Sequence, residues 1–171
     1  LTMPAIAAHA NPEKVLLIGG GDGGALYQLL KFNFSIIDHV DLDEKVIEVS
    51  KEHLENIHRG SLYNNRVNRH IQDGRQFLKQ IKNGYYDIII IDLPDPSKLS
   101  LAPLYSIEFY EEVRRVLKED GLMVTQFTPP YYFIEGFTSA YKTIKTVFPE
   151  TYPYVVPGSL QGSLGYIIAG K

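Results

Sequence analysis

Five aspartates stand where the predicted strands of this sequence end. Asp22, Asp41, Asp73 and Asp92 each follow a short apolar run, and Asp95 comes three residues after Asp92. One aspartate at such a place is ordinary, because aspartate forms turns and caps helices well. Four aspartates at successive strand ends argue against a coincidence, since the carboxyl ends of parallel strands meet at one edge of a sheet. The pattern predicts a polar ligand site at that edge.

Two of these acids suit a nucleoside. Asp41 follows the glycine-rich turn of residues 19–24 by about 20 residues, and a carboxylate at that spacing can accept both ribose hydroxyls. Asp73, with Gly74 beside it, is a candidate for binding an adenine edge through its side chain. Asp43 also lies close to the first position, but we expect it to cap the next helix.

Asp92 and Asp95 form a close pair of carboxylates on a loop that two prolines stiffen. Such a pair suits a cationic substrate, or base catalysis by one carboxylate if its pKa is raised. Two carboxylates can also hold a metal ion, but no histidine stands near them, and we expect no metal.

The stretch KVLLIGGGDGGA, residues 14–25, predicts a strand, a glycine turn and a helix at the edge of the sheet where these aspartates lie. An apolar run reads as a buried strand, five glycines and one aspartate follow, and a helical pattern begins. Glycines let the backbone turn tightly and let a ligand come close, and the helix offers free N–H groups. The candidate ligand-contacting residues of the turn are Gly19, Gly20, Gly21, Asp22 and Gly23. The spacing also fits a dinucleotide fingerprint, so a nicotinamide dehydrogenase is an alternative, ranked last because the later acids have no role in it.

Strands and helices alternate along the whole chain. We expect parallel strands at 15–18, 35–41, 67–71, 86–91 and 122–127, and helices at 25–30, 44–57, 75–82, 106–118 and 133–148. A terminal antiparallel pair is expected at 152–156 and 165–169. The alternation predicts an α/β fold with a mostly parallel sheet, helices on both faces, and strands 15–18 and 86–91 at its centre. Residues 1–13 are expected to be a lead-in segment and 14–171 a single catalytic domain.

Composition restricts the function classes. The chain has 171 residues, the size of one domain, and a formal net charge of −3 with no basic run, which argues against a nucleic-acid partner. Cysteine is absent, which rules out disulfides and cysteine-based metal sites. No apolar run approaches the ~20 residues of a membrane helix, so we expect a cytoplasmic domain. The chain begins at Leu1, and we expect a fragment whose preceding part could be another domain or a membrane region.

Several segments together resemble a known family. They are VLLIGGGDGG, VDLDEKVIEVSK, RVNRHIQDGRQFL, YDIIIIDLPDP, LYSIEFYEEVRRVLKEDGLMVTQ and the closing GYIIAG. In this order they resemble the catalytic domain of the polyamine aminopropyltransferases, the spermidine synthase family. The resemblance covers nearly the whole chain, and GGGDGG is far more specific than a generic glycine fingerprint. It implies a Rossmann-like, class I methyltransferase fold that binds decarboxylated S-adenosylmethionine as co-substrate and a putrescine-like polyamine as acceptor; a homodimer is left open.

The resemblance also implies roles for individual residues. Asp22 would contact the aminopropyl amine of the donor, Asp41 the ribose, and Asp73 with Gly74 the adenine. Asp92 would be the base that takes a proton from the attacking amine. Polyamine binding would fall to Asp95, while Gln126 matches a glutamine of the family's site.

This chain departs from the family's pattern at three places. Residues 92–96 read DLPDP where the family has D-S-S-D-P or D-S-T-D-P, and this form resembles a branch in which the domain follows a membrane-embedded region. Ser159 and Leu164 stand where the family has a channel-lining tyrosine and a tryptophan. Two alternatives therefore stay open, an S-adenosylmethionine-dependent methyltransferase and a non-catalytic nucleoside-binding domain. Asp22 distinguishes the methyltransferase from an aminopropyltransferase, because it would repel the carboxylate of ordinary S-adenosylmethionine.

Overall fold

The structure, a computed structural model, describes residues 1–94, 101–127, 130–157 and 164–171. Seven strands of this part form one sheet: β1 Lys14–Gly19, β2 Ile36–Asp41, β3 Val67–Ile71, β4 Tyr86–Asp92, β5 Leu117–Phe127, β6 Glu150–Val156 and β7 Leu164–Gly170. Their order across the sheet is β3-β2-β1-β4-β5-β7-β6. The first five strands are parallel, and β7 is antiparallel to both β5 and β6. The predicted α/β fold with an antiparallel terminal pair is confirmed.

Strand β4 lies in the middle of the seven strands, next to β1. Its sequence YDIIIID is apolar at consecutive positions, and the four isoleucines at 88–91 are fully buried. A parallel strand covered by helices on both faces requires apolar side chains on both sides, and this explains the lack of alternation. The register aligns Gly19 at the end of β1 with Asp92 at the end of β4. The glycine turn and the DLPDP segment therefore begin at the same edge.

The helices are α1 Thr2–Ala8, α2 Gly24–Leu29, α3 Glu44–His53, α4 Glu55–His58, α5 Gly74–Gln80, α6 Ile107–Val116 and α7 Ile134–Val147. The single helix expected at 44–57 is divided at Leu54, whose φ of −118° leaves helical geometry. The lead-in carries α1, which the sequence did not predict. Pro4 is tolerated there because it lies in the first turn, where the missing N–H has no helical partner. None of the helices in these ranges is both long and apolar enough to span a bilayer.

Two apolar cores lie on opposite faces of the sheet, because successive strand residues point to opposite sides. On one face Ile89 and Ile91 pack with the buried side chains of α5, α6 and α7. On the other face Ile88 and Ile90 pack with those of α1, α2 and α3. The sheet is thereby packed from both sides.

Two histidines correct an expectation from the sequence, which placed His39, His53, His58 and His70 on the surface. His39 is 0% exposed and His58 is 1% exposed. His39 lies within β2, one residue from the strand's apolar neighbours, and its ring is enclosed by the sheet. A lone histidine carries no pairing pattern in a single sequence, so its burial could not be inferred.

Candidate nucleoside and cation site

A cavity of about 580 Å³ opens at the carboxyl ends of β1, β2, β4 and β5 and beside the segment after β3. Nine of the eleven predicted site residues line it: Gly19, Gly20, Gly21, Asp22, Asp41, Asp73, Gly74, Asp92 and Gln126. Gly23 does not line it, because it faces the side chains of His58 and Leu62 beneath the turn. Asp95 lies outside the described residues, as does Ser159. A cleft of about 630 Å³ elsewhere is lined by residues of both charges and by none of the predicted site.

The glycine turn is built around contacts with the end of β4. Gly19 has a φ of +82°, and a Cβ atom at this position would come within 2.2 Å of the carbonyl oxygen of Asp92. The N–H of Gly20 donates to that same oxygen over 3.0 Å. A Cβ atom on Gly21 would lie 2.8 Å from Oδ2 of Asp41. Glycine therefore lets the turn contact β4 on one side and the Asp41 carboxylate on the other.

Asp92 has the electrostatics of a proton acceptor. It ends β4 and is partly buried. Burial, and then the negative charge of Asp22, raise the pKa of Asp92 to about 6. The charge of Asp92 also adds to burial in raising the pKa of the Tyr166 phenol. A carboxylate whose pKa approaches neutrality can take up a proton at physiological pH, as general base catalysis requires.

Asp22 and Asp41 are held by turns of their own backbone. Oδ1 of Asp22 accepts a hydrogen bond from the N–H of Gly24 over 2.9 Å. Oδ1 of Asp41 accepts one from the N–H of Asp43 over 3.0 Å. Burial raises the pKa of Asp41, although backbone N–H groups oppose the shift. Both carboxylates are thus pre-oriented at the cavity, each with acceptor capacity remaining.

Asp73 is more heavily engaged. Its Oδ1 accepts from the N–H groups of Arg75 and Gln76 at 2.8 and 3.2 Å and so caps α5. Its Oδ2 accepts from the Arg75 guanidinium over 3.0 Å. Burial alone would raise the pKa of Asp73, but these hydrogen bonds, led by the Arg75 side chain, lower it. A ligand at this position has to share the carboxylate with the helix cap.

Sequence reasoning missed the apolar walls of the cavity. Leu42 and Val46 line it, and their side chains are 70% and 46% exposed. Leu93 and Leu104 contribute further apolar surface on the β4 side. An apolar residue between two acids, as in DLD at 41–43, is the signal that could have indicated Leu42. Exposed apolar side chains beside polar groups are typical of sites for planar rings.

One histidine–carboxylate group among the described residues has the spacing of a metal site, and it lies at the opposite end of β4. His9 Nε2 is 3.9 Å from Asp87 Oδ1 and 3.6 Å from Asp120 Oδ2. The ammonium of Lys118 already lies 2.6 Å from the same Asp87 oxygen. That positive charge offsets the Asp87 carboxylate and would repel a metal ion.

A parallel sheet with a glycine turn after its first strand and carboxylates after four successive strands defines a Rossmann-like, nucleoside-binding class of domain. Comparison with known proteins is more specific. The chain belongs to the spermine/spermidine synthase family, since the model of the spermine/spermidine synthase domain matches residues 1–171.

Curated relatives and solved structures agree with this assignment. The polyamine aminopropyltransferase of Saccharolobus solfataricus is 42% identical over 162 residues, which cover 93% of this chain and 54% of the relative. Polyamine aminopropyltransferase 2 of Aquifex aeolicus is 43% identical over 161 residues, 93% of this chain and 32% of the relative. A spermidine synthase in complex with the transition-state analogue AdoDATO superposes with a TM-score of 0.91, at 34% identity, over 99% of this chain and 58% of that one. The spermidine synthase of Thermotoga maritima superposes with a TM-score of 0.90, at 35% identity, over 100% of this chain and 58% of that one. The chain thus spans about half the length of the first relative and about a third of the second.

Proposed function

We propose that this domain transfers an aminopropyl group from decarboxylated S-adenosylmethionine to a putrescine-like polyamine, with release of methylthioadenosine. The observation that carries the proposal is the pair formed by Asp22 and Asp92 beside the glycine turn. The charge of the exposed Asp22 carboxylate raises the pKa of the partly buried Asp92, so the two carboxylates repel each other there. A cationic ligand between them relieves that repulsion, and both the donor and the acceptor of this reaction are cations.

The nucleoside half of the donor fits the other side of the cavity. Asp41 would accept the ribose hydroxyls, since its Oδ2 faces the turn beside Gly21. Asp73 and Gly74 would lie at the adenine edge, with Leu42 and Val46 against the ring. Asp22 would then bind the free ammonium of the donor. An S-adenosylmethionine carboxylate would meet the Asp22 carboxylate instead, and this repulsion selects the decarboxylated donor.

The transfer is a direct displacement. The acceptor nitrogen attacks the carbon next to the sulfonium, the carbon–nitrogen bond forms, the carbon–sulfur bond breaks, and its electron pair stays on sulfur. The proton of the attacking amine passes to Asp92. Gln126, the neighbour of Asp92 at the end of β5, and Asp95 would hold the polyamine. Because the reactants are both cations, orientation beside fixed carboxylates is the main contribution of the protein.

Calorimetry with three ligands tests the proposal: decarboxylated S-adenosylmethionine, S-adenosylmethionine and methylthioadenosine. We expect the decarboxylated donor to bind at least ~10-fold more tightly than S-adenosylmethionine, because an unrelieved charge repulsion costs on the order of 1–2 kcal/mol. Asp22→Asn should narrow that difference, and Glu48→Gln, an exposed charge removal on α3, should leave it unchanged.

A turnover assay that follows methylthioadenosine release with putrescine completes the test. Tighter binding of S-adenosylmethionine would overturn the proposal in favour of a methyltransferase. Nucleoside binding without any turnover, in the full-length protein, would favour the non-catalytic alternative.

A further inference from the structure

Within the described part of the chain, the side chain of His39 makes one polar contact, and that contact reaches the glycine turn. His39 lies on β2, is 0% exposed, and places its Nε2 atom 3.0 Å from the carbonyl oxygen of Gly19. The main-chain pairing of β1 with β2 ends one residue earlier, at Ile18 and Val40. The imidazole therefore extends the link between β2 and β1 into the turn itself.

The chemistry of the contact fixes the form of the imidazole. A carbonyl oxygen only accepts hydrogen bonds, so Nε2 must carry the proton. Burial, and then the positive charge of Arg69, lower the pKa of His39 to about 4, so the ring is neutral at physiological pH. Its Nδ1 atom has no hydrogen-bond partner among the described residues. The buried imidazole therefore makes one hydrogen bond to the turn, and its unsatisfied Nδ1 atom lowers the free energy of unfolding.

The carbonyl of Gly19 and the N–H of Gly20 belong to the same peptide group. His39 binds the carbonyl end of this group, and the Asp92 carbonyl oxygen accepts from its N–H end over 3.0 Å. The two strands that flank β1, β2 and β4, therefore hold one peptide plane from opposite sides. Both flanking glycines have positive φ values, of +82° and +70°, and glycine alone would leave that plane free to rotate.

We propose that His39 is a positioning residue of the donor site. Its Nε2–H fixes the Gly19–Gly20 peptide plane, and through it the approach of the turn to both the bound nucleoside and Asp92. This inference rests on the proposed function for the ligand, but its geometric part concerns the turn alone. His39 touches no reacting atom; it acts through the peptide group that it holds.

The test compares two variants of His39 with a control in the same strand. His39→Leu removes the donor at similar volume, and His39→Gln keeps an N–H₂ group that can reach the same carbonyl. Ile37→Ala removes buried volume two residues earlier on β2, where the strand partner is Val15, at the start of β1 and away from the turn. Each is measured by circular-dichroism melting, by calorimetry with methylthioadenosine, and by hydrogen exchange of the Gly20 amide.

We expect His39→Leu to weaken methylthioadenosine binding about tenfold, the value of one well-placed hydrogen bond, and to speed exchange at Gly20. His39→Gln should restore both readouts to within about threefold of the parent. Ile37→Ala should lower the melting temperature yet leave both readouts at parental values.

Parental binding and exchange in a folded His39→Leu variant would overturn the inference. So would equal losses in the Leu, Gln and Ile37→Ala variants, because general destabilisation would then explain them. If the parent itself bound none of the three nucleosides, the proposed function would fail, and the Gly20 exchange rates would still decide the role of His39.

Discussion

Replacing Asp92 by asparagine should make this protein more stable at alkaline pH while it removes the proposed base. The carboxyl group has a pKa of about 6 in the fold against an ordinary value of 3.8. At about 1.36 kcal/mol for each tenfold change in proton affinity, ionised Asp92 lowers the free energy of unfolding by about 3 kcal/mol. Asparagine has nearly the same shape and carries no charge, so Asp92→Asn recovers most of that free energy.

The sign of the effect sets its pH window. A group whose pKa is raised in the fold stabilises it below the unfolded value, and that stabilisation is lost as the pH rises through the folded value. The advantage of Asp92→Asn should therefore be about 2–3 kcal/mol at pH 8, shrink as the pH falls below 6, and be only about 0.5 kcal/mol near pH 4. For a chain of this size the gain at pH 8 corresponds to about 4–12 °C in Tm.

Several groups contribute to the pH dependence. Asp22 raises the pKa of Asp92. Burial lowers the pKa of His39, so this histidine gives the opposite slope, with stability lost as the pH falls from about 6.5 towards 4. The contribution of Asp92 is isolated by the difference in unfolding free energy between the parent and Asp92→Asn. This difference should be measured at each pH from urea denaturation curves.

Two results would refute this reasoning. A gain that does not change between pH 4 and pH 8 would come from packing and not from charge. A loss of stability at pH 8 would mean that the Asp92 carboxylate caps the following loop. Glu48→Gln serves as the control, since it removes an exposed carboxylate from α3 and should change the curves little at any pH. In a turnover assay of the full-length protein, Asp92→Asn should slow transfer by roughly 10²–10⁴-fold with donor binding much less affected.

Three further changes test other parts of the site and fold. Asp41→Ala should weaken methylthioadenosine binding by roughly 10–100-fold in calorimetry, because the ribose hydroxyls lose a charged acceptor; unchanged affinity would exclude Asp41 from the ribose site. Gly19→Ala should lower the unfolding free energy by more than about 2 kcal/mol, since φ is +82° and Asp92 blocks the new methyl group; a parental melting curve would contradict that geometry. Tyr86→Phe removes the hydroxyl that donates to Asp38 Oδ2 over 2.7 Å. It should cost about 1–3 kcal/mol in denaturation without altering nucleoside affinity, and a loss of affinity would show that this buried pair reaches the site.

The strands were predictable because their signal is local. Four consecutive isoleucines in β4 can only be buried in a sheet covered on both faces, and the glycine turn marks the end of β1. The acids after the strands were predictable for the same reason, because parallel topology brings strand ends together. Asp43 was correctly expected to cap the next helix, since its side chain accepts from the N–H of Lys45 in the first turn.

Other features depend on contacts between distant segments, and no local pattern encodes them. The lead-in forms α1 because Ala5 and Ile6 find apolar partners on the sheet. His39 is buried because the turn offers a carbonyl to its ring. Asp73 is nearly saturated because Arg75, two residues on, turns back to it. In each case the state of one residue depends on where a partner group lies in the folded structure, and the sequence alone does not give that position.

The position of β7 has a consequence for the order in which the sheet can be completed. Residues 164–170 are the last strand in sequence, yet they lie between β5 and β6 and pair with both. During synthesis on the ribosome, β6 emerges earlier but has no neighbour in the sheet until β7 arrives. The β5 strand, which carries Gln126, likewise keeps an open edge until then. This side of the sheet therefore closes only after β7 has emerged, and for β5 it closes through pairings that are distant along the chain.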